Sequence, residues 1–224
     1  LVAEGELNFI NEAGRTLIET AFNRPVRVSR RIVLVPAGFA GEGDTDTVTV
    51  FIRQGAAFGD GRHPTTRLAL MGIEVVIDEL MIEQKVAAGS VLDIGTGSGV
   101  LVVAAMRLGF SRGVGVDIDP CAASEALTNV ALNGLADRVE ISGQGFETID
   151  HQFDLICANL RWPTLKSARD LIKSHLAPEG AVVISGIKTS EMTPLIDWVV
   201  ETGFSYRWDA SQAGWAVVVI QLDG

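Results

Sequence analysis

Three glycines at alternating positions form the strongest chemical signal in the sequence. Gly95, Gly97 and Gly99 follow the apolar segment Val91–Ile94, which indicates a loop between a buried strand and a helix. Such a loop lets backbone N–H groups approach a polar or anionic ligand closely. The dinucleotide fingerprint does not fit, because Val100 stands where it has its third glycine or alanine, and no lysine follows as in a P-loop. The loop therefore predicts another kind of ligand site, with a glycine-rich turn that binds nothing as the alternative.

An aspartate ends the next apolar run. Asp117 closes the segment Gly113–Asp117 and lies 22 residues after Gly95, about the separation that one βαβ unit requires. A carboxylate at this strand end is placed to accept hydrogen bonds from both hydroxyls of a ribose. Helix capping before Pro120 is the alternative role, and we assign that role mainly to Asp119.

An asparagine ends a third apolar run. Asn159 follows Phe153–Ala158, a continuously apolar segment of the type found in central parallel strands. Ligands in open α/β sheets bind beyond the carboxyl ends of the strands, so we expect the Asn159 amide to face the same site as Asp117. A turn residue that caps the next helix is the alternative.

Strands and helices alternate from Ser90 onward, and this alternation predicts an α/β fold with a mostly parallel, Rossmann-like sheet. The last two apolar runs, Phe204–Asp209 and Trp215–Leu222, are joined by too few residues for a helix and must pair as an antiparallel hairpin. The other predicted strands are Val91–Ile94, Gly113–Asp117, Val139–Ser142, Phe153–Ala158 and Ala181–Ile187. One predicted helix follows the glycine loop and ends at Leu108, and the others cover 120–134, 163–176 and 191–202.

An N-terminal extension is predicted over residues 1–56, before the alternating region. Glu4–Phe22 has apolar residues at helical spacing. The runs Val26–Val35 and Thr45–Arg53 alternate in hydrophobicity on either side of a turn rich in glycine and aspartate, which predicts a β-hairpin. Residues 57–224 then form the second predicted domain.

The composition predicts a globular protein and disfavours several classes of partner. The 224 residues include 18 Lys and Arg against 28 Asp and Glu, so the formal net charge is −10. This negative charge disfavours binding to nucleic acid or to an anionic membrane. No apolar run is long enough to span a bilayer, and the N-terminus lacks a signal-peptide pattern. Two cysteines and three scattered histidines provide neither a disulfide framework nor a metal site, so we expect a cytoplasmic protein without a metal.

Five motifs follow one another in a consistent order: AFGDGRHPTT at 57–66, VLDIGTGSGV at 91–100, GVDIDP at 115–120, FDLICANL at 153–160 and SGI at 185–187. Together they resemble the PrmA family of ribosomal protein methyltransferases. The resemblance implies the seven-stranded methyltransferase sheet, S-adenosyl-L-methionine as the methyl donor, and N-methylation of amino groups on a protein.

The resemblance also implies which residues bind the cofactor. Gly95 would lie beside the methionine part and Asp117 beside the ribose, with Thr66 and Asn159 on either side of the reacting end. The implied set is Phe58, Gly59, Thr65, Thr66, Asp93, Gly95, Thr96, Gly97, Asp117, Ile118 and Asn159.

Methyl transfer to an amine requires a neutral nucleophile in line with the methyl group. Asn159 is our first candidate catalytic residue, because its side-chain oxygen can accept an N–H and orient the amine lone pair. We expect Phe58 and Trp162 to line the entrance, where desolvation favours the neutral amine. His63 is the second candidate, as a general base, although its position before Pro64 equally predicts a structural role at a helix start.

The sequence leaves three functions open, which differ in the methyl acceptor and in whether the protein is an enzyme. A protein amine is the expected acceptor, although only about 25 residues precede the predicted hairpin, where the family has a substrate-binding domain. A small-molecule N-methyltransferase is the first alternative. A non-catalytic binding module is the second, because Asp60 replaces a threonine of the family motif and the residues Arg161–Pro163 depart from the continuation expected after Asn159.

Overall fold

Residues 24–39, 47–80 and 87–222 are described by the computed structural model, so the predicted helix over Glu4–Phe22 lies outside the described residues. The strands in these ranges are β1 (Val26–Arg27), β2 (Ile32–Pro36), β3 (Val48–Ile52), β4 (Ser90–Ile94), β5 (Arg112–Val116), β6 (Val139–Ser142), β7 (Phe153–Asn159), β8 (Leu176–Lys188), β9 (Phe204–Gln212) and β10 (Trp215–Leu222).

The strands from β4 to β10 form one sheet in the order β6-β5-β4-β7-β8-β10-β9. Neighbouring strands are parallel, except that β10 runs antiparallel to both β8 and β9. This arrangement confirms the predicted α/β fold and its terminal hairpin. The chain leaves β4 for β5 and β6 on one side and comes back to β7 on the other, so a crevice opens at the carboxyl ends of β4 and β7.

Helices cover both faces of this sheet. In the described ranges they are α1 (Pro64–Val75), continued by a π-helical turn over Val76–Leu80, α2 (Val100–Arg107), α3 (Pro120–Leu132), α4 (Trp162–Ser174) and α5 (Met192–Glu201). One apolar core packs α1 and α2 against the sheet, and a second core packs α4 and α5 against its other face. None of the helices in the described ranges combines the length and the hydrophobicity that a membrane span requires.

The predicted hairpin between Val26–Val35 and Thr45–Arg53 is wrong. β1 pairs antiparallel with β2, but β2 and β3 pair in parallel, with Leu34 opposite Val50. Both of these side chains lie in the first apolar core, which also contains α2. The connection between β2 and β3 is long enough for this arrangement, since parallel pairing needs a crossover of about a dozen residues. The predicted boundary after residue 56 stays a prediction.

Side chains on α3 and at its end occupy the free edge of β3. Asn133 Oδ1 accepts a hydrogen bond from the Phe51 N–H (2.9 Å), and Asn133 Nδ2 donates to the Phe51 carbonyl (2.7 Å). One helical turn earlier, Asn129 accepts from the Arg53 N–H (2.8 Å) and donates to the Ser98 carbonyl (2.8 Å). Both asparagines are buried, so water competes little for these bonds. They join the three-stranded sheet, α3 and the glycine loop into one unit.

Candidate functional site

A cavity of about 730 Å³ lies beyond the carboxyl ends of β4, β5 and β7. This volume is within the range of about 300–1,000 Å³ that is typical of small-molecule sites. The predicted residues that line it are Phe58, His63, Thr65, Gly95, Gly97, Asp117, Ile118 and Asn159. The predicted residues that do not line it are Gly59, Thr66, Asp93 and Thr96, all of which are buried.

The glycine loop, residues 95–99, uses all of its backbone N–H groups within the protein. The acceptors are the Val116 carbonyl for Gly95 and Thr96 (2.9 Å each), Asp117 Oδ2 for Gly97 (2.9 Å), the Phe58 carbonyl for Ser98 (2.8 Å) and the Thr96 carbonyl for Gly99 (2.8 Å). In contrast to the expectation from sequence, the loop therefore has no unbonded backbone N–H for an anion. A cluster of free N–H groups is what a phosphate-binding loop provides.

Asp117 connects the glycine loop to the start of α3. Its Oδ2 accepts from the Gly97 N–H (2.9 Å) and its Oδ1 accepts from the Asp119 N–H (3.0 Å). Asp119 in turn caps α3 by accepting from the Cys121 N–H (2.9 Å), which confirms the capping role assigned to it. Each carboxylate oxygen can accept a second hydrogen bond, so Asp117 retains capacity for two hydroxyl donors. The ribose-binding role of Asp117 stays a prediction.

Four buried side-chain oxygens lack a hydrogen-bond partner within the described residues. They are Asn159 Oδ1 on β7, Asp93 Oδ1 on β4, Thr66 Oγ1 on α1 and Ser98 Oγ in the glycine loop. The second carboxylate oxygen of Asp93 accepts from the Thr96 hydroxyl (2.7 Å) and the Val102 N–H (3.3 Å), and burial raises the pKa of Asp93 to about 7. A buried acceptor without a donor is costly. Of these four residues Asn159 lines the cavity, so its side-chain oxygen favours a ligand or water that donates a hydrogen bond.

His63 caps the N-terminus of α1. Its Nδ1 accepts a hydrogen bond from the Thr65 N–H (3.3 Å) and lies 2.8 Å from the Thr65 hydroxyl oxygen. Burial lowers the pKa of His63 below its ordinary value, so the ring is neutral at pH 7 and carries its single proton on Nε2. The only lone pair of the ring is then used in the cap. This geometry favours the structural alternative over the general base.

Trp215 occupies the place predicted for Trp162. Trp215 lines the cavity, and its ring lies 5.0 Å from that of His63, whereas Trp162 packs against the second apolar core. The prediction that Trp162 lines the entrance is therefore wrong. β10 is antiparallel, so its first residue lies at the edge where the parallel strands end, and a rule based on carboxyl ends misses it. The same rule could have found Gln144–Glu147, which follow β6 and also line the cavity.

Asp60 has its own counter-ion. Its carboxylate forms an ion pair with the Arg62 guanidinium and accepts a hydrogen bond from the Arg62 N–H (3.1 Å). Both side chains are partly buried, at 14% exposed for Asp60 and 28% for Arg62, and neither lines the cavity. The departure from the family's threonine therefore adds little net charge to the site.

A seven-stranded sheet of this order, with a cavity at a glycine loop and at a carboxylate on the adjacent strand, defines a methyltransferase-type α/β fold. The solved O-methyltransferase from Bacillus cereus in complex with SAH has the same fold at 15% identity, with a TM-score of 0.56 over 72% of this chain and 82% of that chain.

More specific similarities identify the family. The family model "Ribosomal protein L11 methyltransferase (PrmA)" matches residues 16–223. A ribosomal protein L11 methyltransferase from Pelobacter propionicus is 37% identical over 88% of this chain and 62% of its own length. The solved ribosomal protein L11 methylase from Lactobacillus delbrueckii subsp. bulgaricus has a TM-score of 0.79 at 28% identity, over 90% of this chain and 100% of that chain. The chain therefore belongs to the PrmA family, and it spans less than two thirds of the length of the curated relatives that it matches.

Gly97→Ala is expected to destabilise the protein more than Gly134→Ala. Both glycines have a left-handed backbone, with φ of 55° and 68°, which costs an alanine about 1–2 kcal/mol. A Cβ at position 97 would lie 2.3 Å from the Phe58 carbonyl oxygen, whereas one at position 134 meets nothing within 4 Å. Urea unfolding should therefore show a loss that is larger by about 2 kcal/mol for Gly97→Ala. Equal losses would contradict the close packing of Phe58 on the glycine loop.

Asp93→Asn is expected to remove part of the pH dependence of stability. The pKa of Asp93 rises from 3.8 to about 7 on folding. Between these values the folded state holds an extra proton, so the carboxyl's contribution to stability is present at low pH and is lost as the pH rises toward 7. From about pH 5 to about pH 7 the free energy of unfolding of the wild type should fall relative to that of the variant by about 2 kcal/mol.

Urea titrations at several pH values test this expectation. Asp170→Asn on α4 is the matched control, since the Asp170 side chain is 88% exposed and its variant should follow the wild type. A difference between wild type and Asp93→Asn that stays constant across the pH range would show that Asp93 does not titrate in this window.

Proposed function

We propose that this chain is an S-adenosyl-L-methionine-dependent methyltransferase that N-methylates amino groups of a protein, with ribosomal protein L11 as the first candidate. The observation that carries the proposal is the set of hydrogen-bonding groups at the cavity. The glycine loop has no unbonded N–H for a diphosphate, whereas Asp117 can accept further bonds and Asn159 Oδ1 has no partner among the described residues. This set fits a cationic ligand with ribose hydroxyls better than it fits NAD.

The names of relatives support the same reaction and cofactor. The PrmA relatives are called ribosomal protein L11 methyltransferases, and the Bacillus cereus enzyme of the same fold was solved with SAH. A protein acceptor also suits a chain with a net charge of −10, because an acidic surface attracts basic proteins and repels nucleic acid and anionic membranes. The exposed free thiol of Cys121 suits a reducing cytoplasm. We keep the division into an extension, 1–56, and a methyltransferase domain, 57–224, as part of this proposal.

When bound, S-adenosyl-L-methionine supplies an electrophilic methyl group on a sulfonium. Asp117 binds the ribose by accepting hydrogen bonds from its hydroxyl groups. Asn159 Oδ1 accepts a hydrogen bond from one N–H of the substrate amine and so directs the nitrogen lone pair toward the methyl group. Phe58 and Trp215 exclude water where the amine enters, which penalises the ammonium form and favours the neutral nucleophile. His63 holds the start of α1. The buried residues Gly59, Thr66, Asp93 and Thr96 support the lining rather than contact the ligand.

Thermal unfolding with added ligands tests the cofactor. S-adenosyl-L-methionine and S-adenosylhomocysteine should each raise the unfolding midpoint, whereas NAD should not. A ligand at 100 times its dissociation constant adds about 2.7 kcal/mol, which corresponds to about 5–11 °C for a domain of this size. A shift with NAD alone would overturn the cofactor class, and no shift with any ligand would overturn the proposal.

Asn159→Ala is expected to lower kcat for methyl transfer by about 100-fold, because an amine that is no longer oriented spends little time in line with the methyl group. Transfer is measured by mass spectrometry on ribosomal protein L11 and on a panel of free amines. Ser167→Ala on the exposed face of α4 is the control and should keep full activity. Full turnover by Asn159→Ala would remove Asn159 from the mechanism.

The same assay separates the alternative functions. Transfer to free amines but not to the protein would indicate a small-molecule N-methyltransferase. A thermal shift without transfer to any acceptor would indicate a binding module.

A further inference from the structure

We propose that Glu125 is a positioning residue for the cofactor site: its carboxylate holds the cavity wall formed by residues 56–58 against α3. The inference concerns the same cavity and rests on the proposed function for its effect on the cofactor. Glu125 belongs to none of the motifs that resemble the family, and it lies outside the cavity lining.

The carboxylate of Glu125 binds two successive backbone N–H groups. Oε1 accepts from the Ala56 N–H (2.7 Å) and Oε2 accepts from the Ala57 N–H (3.0 Å). An ionised carboxylate makes shorter and stronger hydrogen bonds to such donors than a neutral acceptor does. Gly55 permits this approach, since a Cβ at position 55 would lie 2.1 Å from the carboxylate.

The residues that Glu125 binds are themselves part of the cavity wall. Ala56, Ala57 and Phe58 all line the cavity. Phe58 is bonded on its other side, since its carbonyl accepts from the Ser98 N–H of the glycine loop (2.8 Å), and its ring lies 5.2 Å from that of His63. The wall is therefore fixed at both ends, by Glu125 at residues 56 and 57 and by the glycine loop at residue 58.

Glu125 also continues the row of side chains that holds the segment before the wall. Asn129 and Asn133 follow at four-residue intervals, which places all three on one face of α3. The two asparagines are buried and bind the backbone of residues 51 and 53, whereas Glu125 is only partly buried. Removing Glu125 should therefore loosen the wall while the buried asparagines keep the fold in place.

A loosened wall must be ordered again when the cofactor binds. The apparent dissociation constant rises by the factor by which the competent wall conformation becomes less populated. Loss of two charge-assisted hydrogen bonds predicts a factor of about 10 or more. Chemistry at saturating cofactor uses the same ordered wall, so kcat should change little.

Isothermal titration with S-adenosylhomocysteine and amide hydrogen exchange test the proposal on the full chain. Glu125→Ala should raise the dissociation constant about 10-fold or more and increase exchange over residues 55–58. Glu125→Gln keeps one acceptor oxygen and should fall between Glu125→Ala and the wild type. Glu140→Gln, an exposed carboxylate on β6, is the matched control and should change neither quantity. KM for S-adenosyl-L-methionine should follow the dissociation constant while kcat stays within about twofold.

Each departure from this result overturns the inference. Unchanged exchange over residues 55–58 in Glu125→Ala would mean that the carboxylate does not hold the wall. Increased exchange with unchanged affinity would mean that the order of the wall does not determine the affinity for the cofactor. A loss of unfolding free energy large enough to explain the weaker binding would mean that Glu125 has a merely structural role. If the wild type binds neither sulfur ligand, the proposed function fails, and exchange in the ligand-free protein still decides whether Glu125 positions residues 56–58.

Discussion

The carboxylate of Asp117 joins the ends of two parallel strands, and the rest of the site depends on this junction. One oxygen fixes Gly97 in the loop after β4, and the other fixes Asp119, the residue that caps α3. α3 then holds the backbone of residues 51–57 through the side chains of its inner face. The glycine loop, the helix and the cavity wall are thus connected through one carboxylate.

The glycine loop illustrates how the same sequence pattern can serve different chemistry. In phosphate-binding loops, glycines expose backbone N–H groups to the ligand. Here the same groups bind the Val116 carbonyl, Asp117 and neighbouring backbone. Asp117 and Asn159, which line the cavity, keep oxygens that can accept further hydrogen bonds. Instead, the glycines allow a left-handed backbone and close packing between chain segments, as at Gly97, which packs against the Phe58 carbonyl. A glycine-rich loop therefore indicates a phosphate site only where its backbone N–H groups are left unbonded.

Local patterns predicted the large sheet well, because its strands are short apolar runs bounded by turns. β6 and β10 have the predicted bounds, and Asp117 and Asn159 lie at the cavity as the carboxyl-end rule requires. The parallel pairing of β3 could not be predicted in this way, since its other edge is bound by Asn133, which is 82 residues from Phe51 in sequence. Trp215 is the first residue of the antiparallel β10, so a rule based on the carboxyl ends of strands misses it even though the hairpin itself was predicted.

The pairing of Asp60 with Arg62 links two positions of a segment that borders the cavity. Each side chain is partly buried, so replacing one alone leaves a partly buried charge without its partner. Replacing both leaves no unpaired charge. The two substitutions are therefore epistatic, and their effects should not add. Redesign of this segment toward the threonine of the family motif has to change residue 62 in the same step, and a single-site library at position 60 would undervalue threonine.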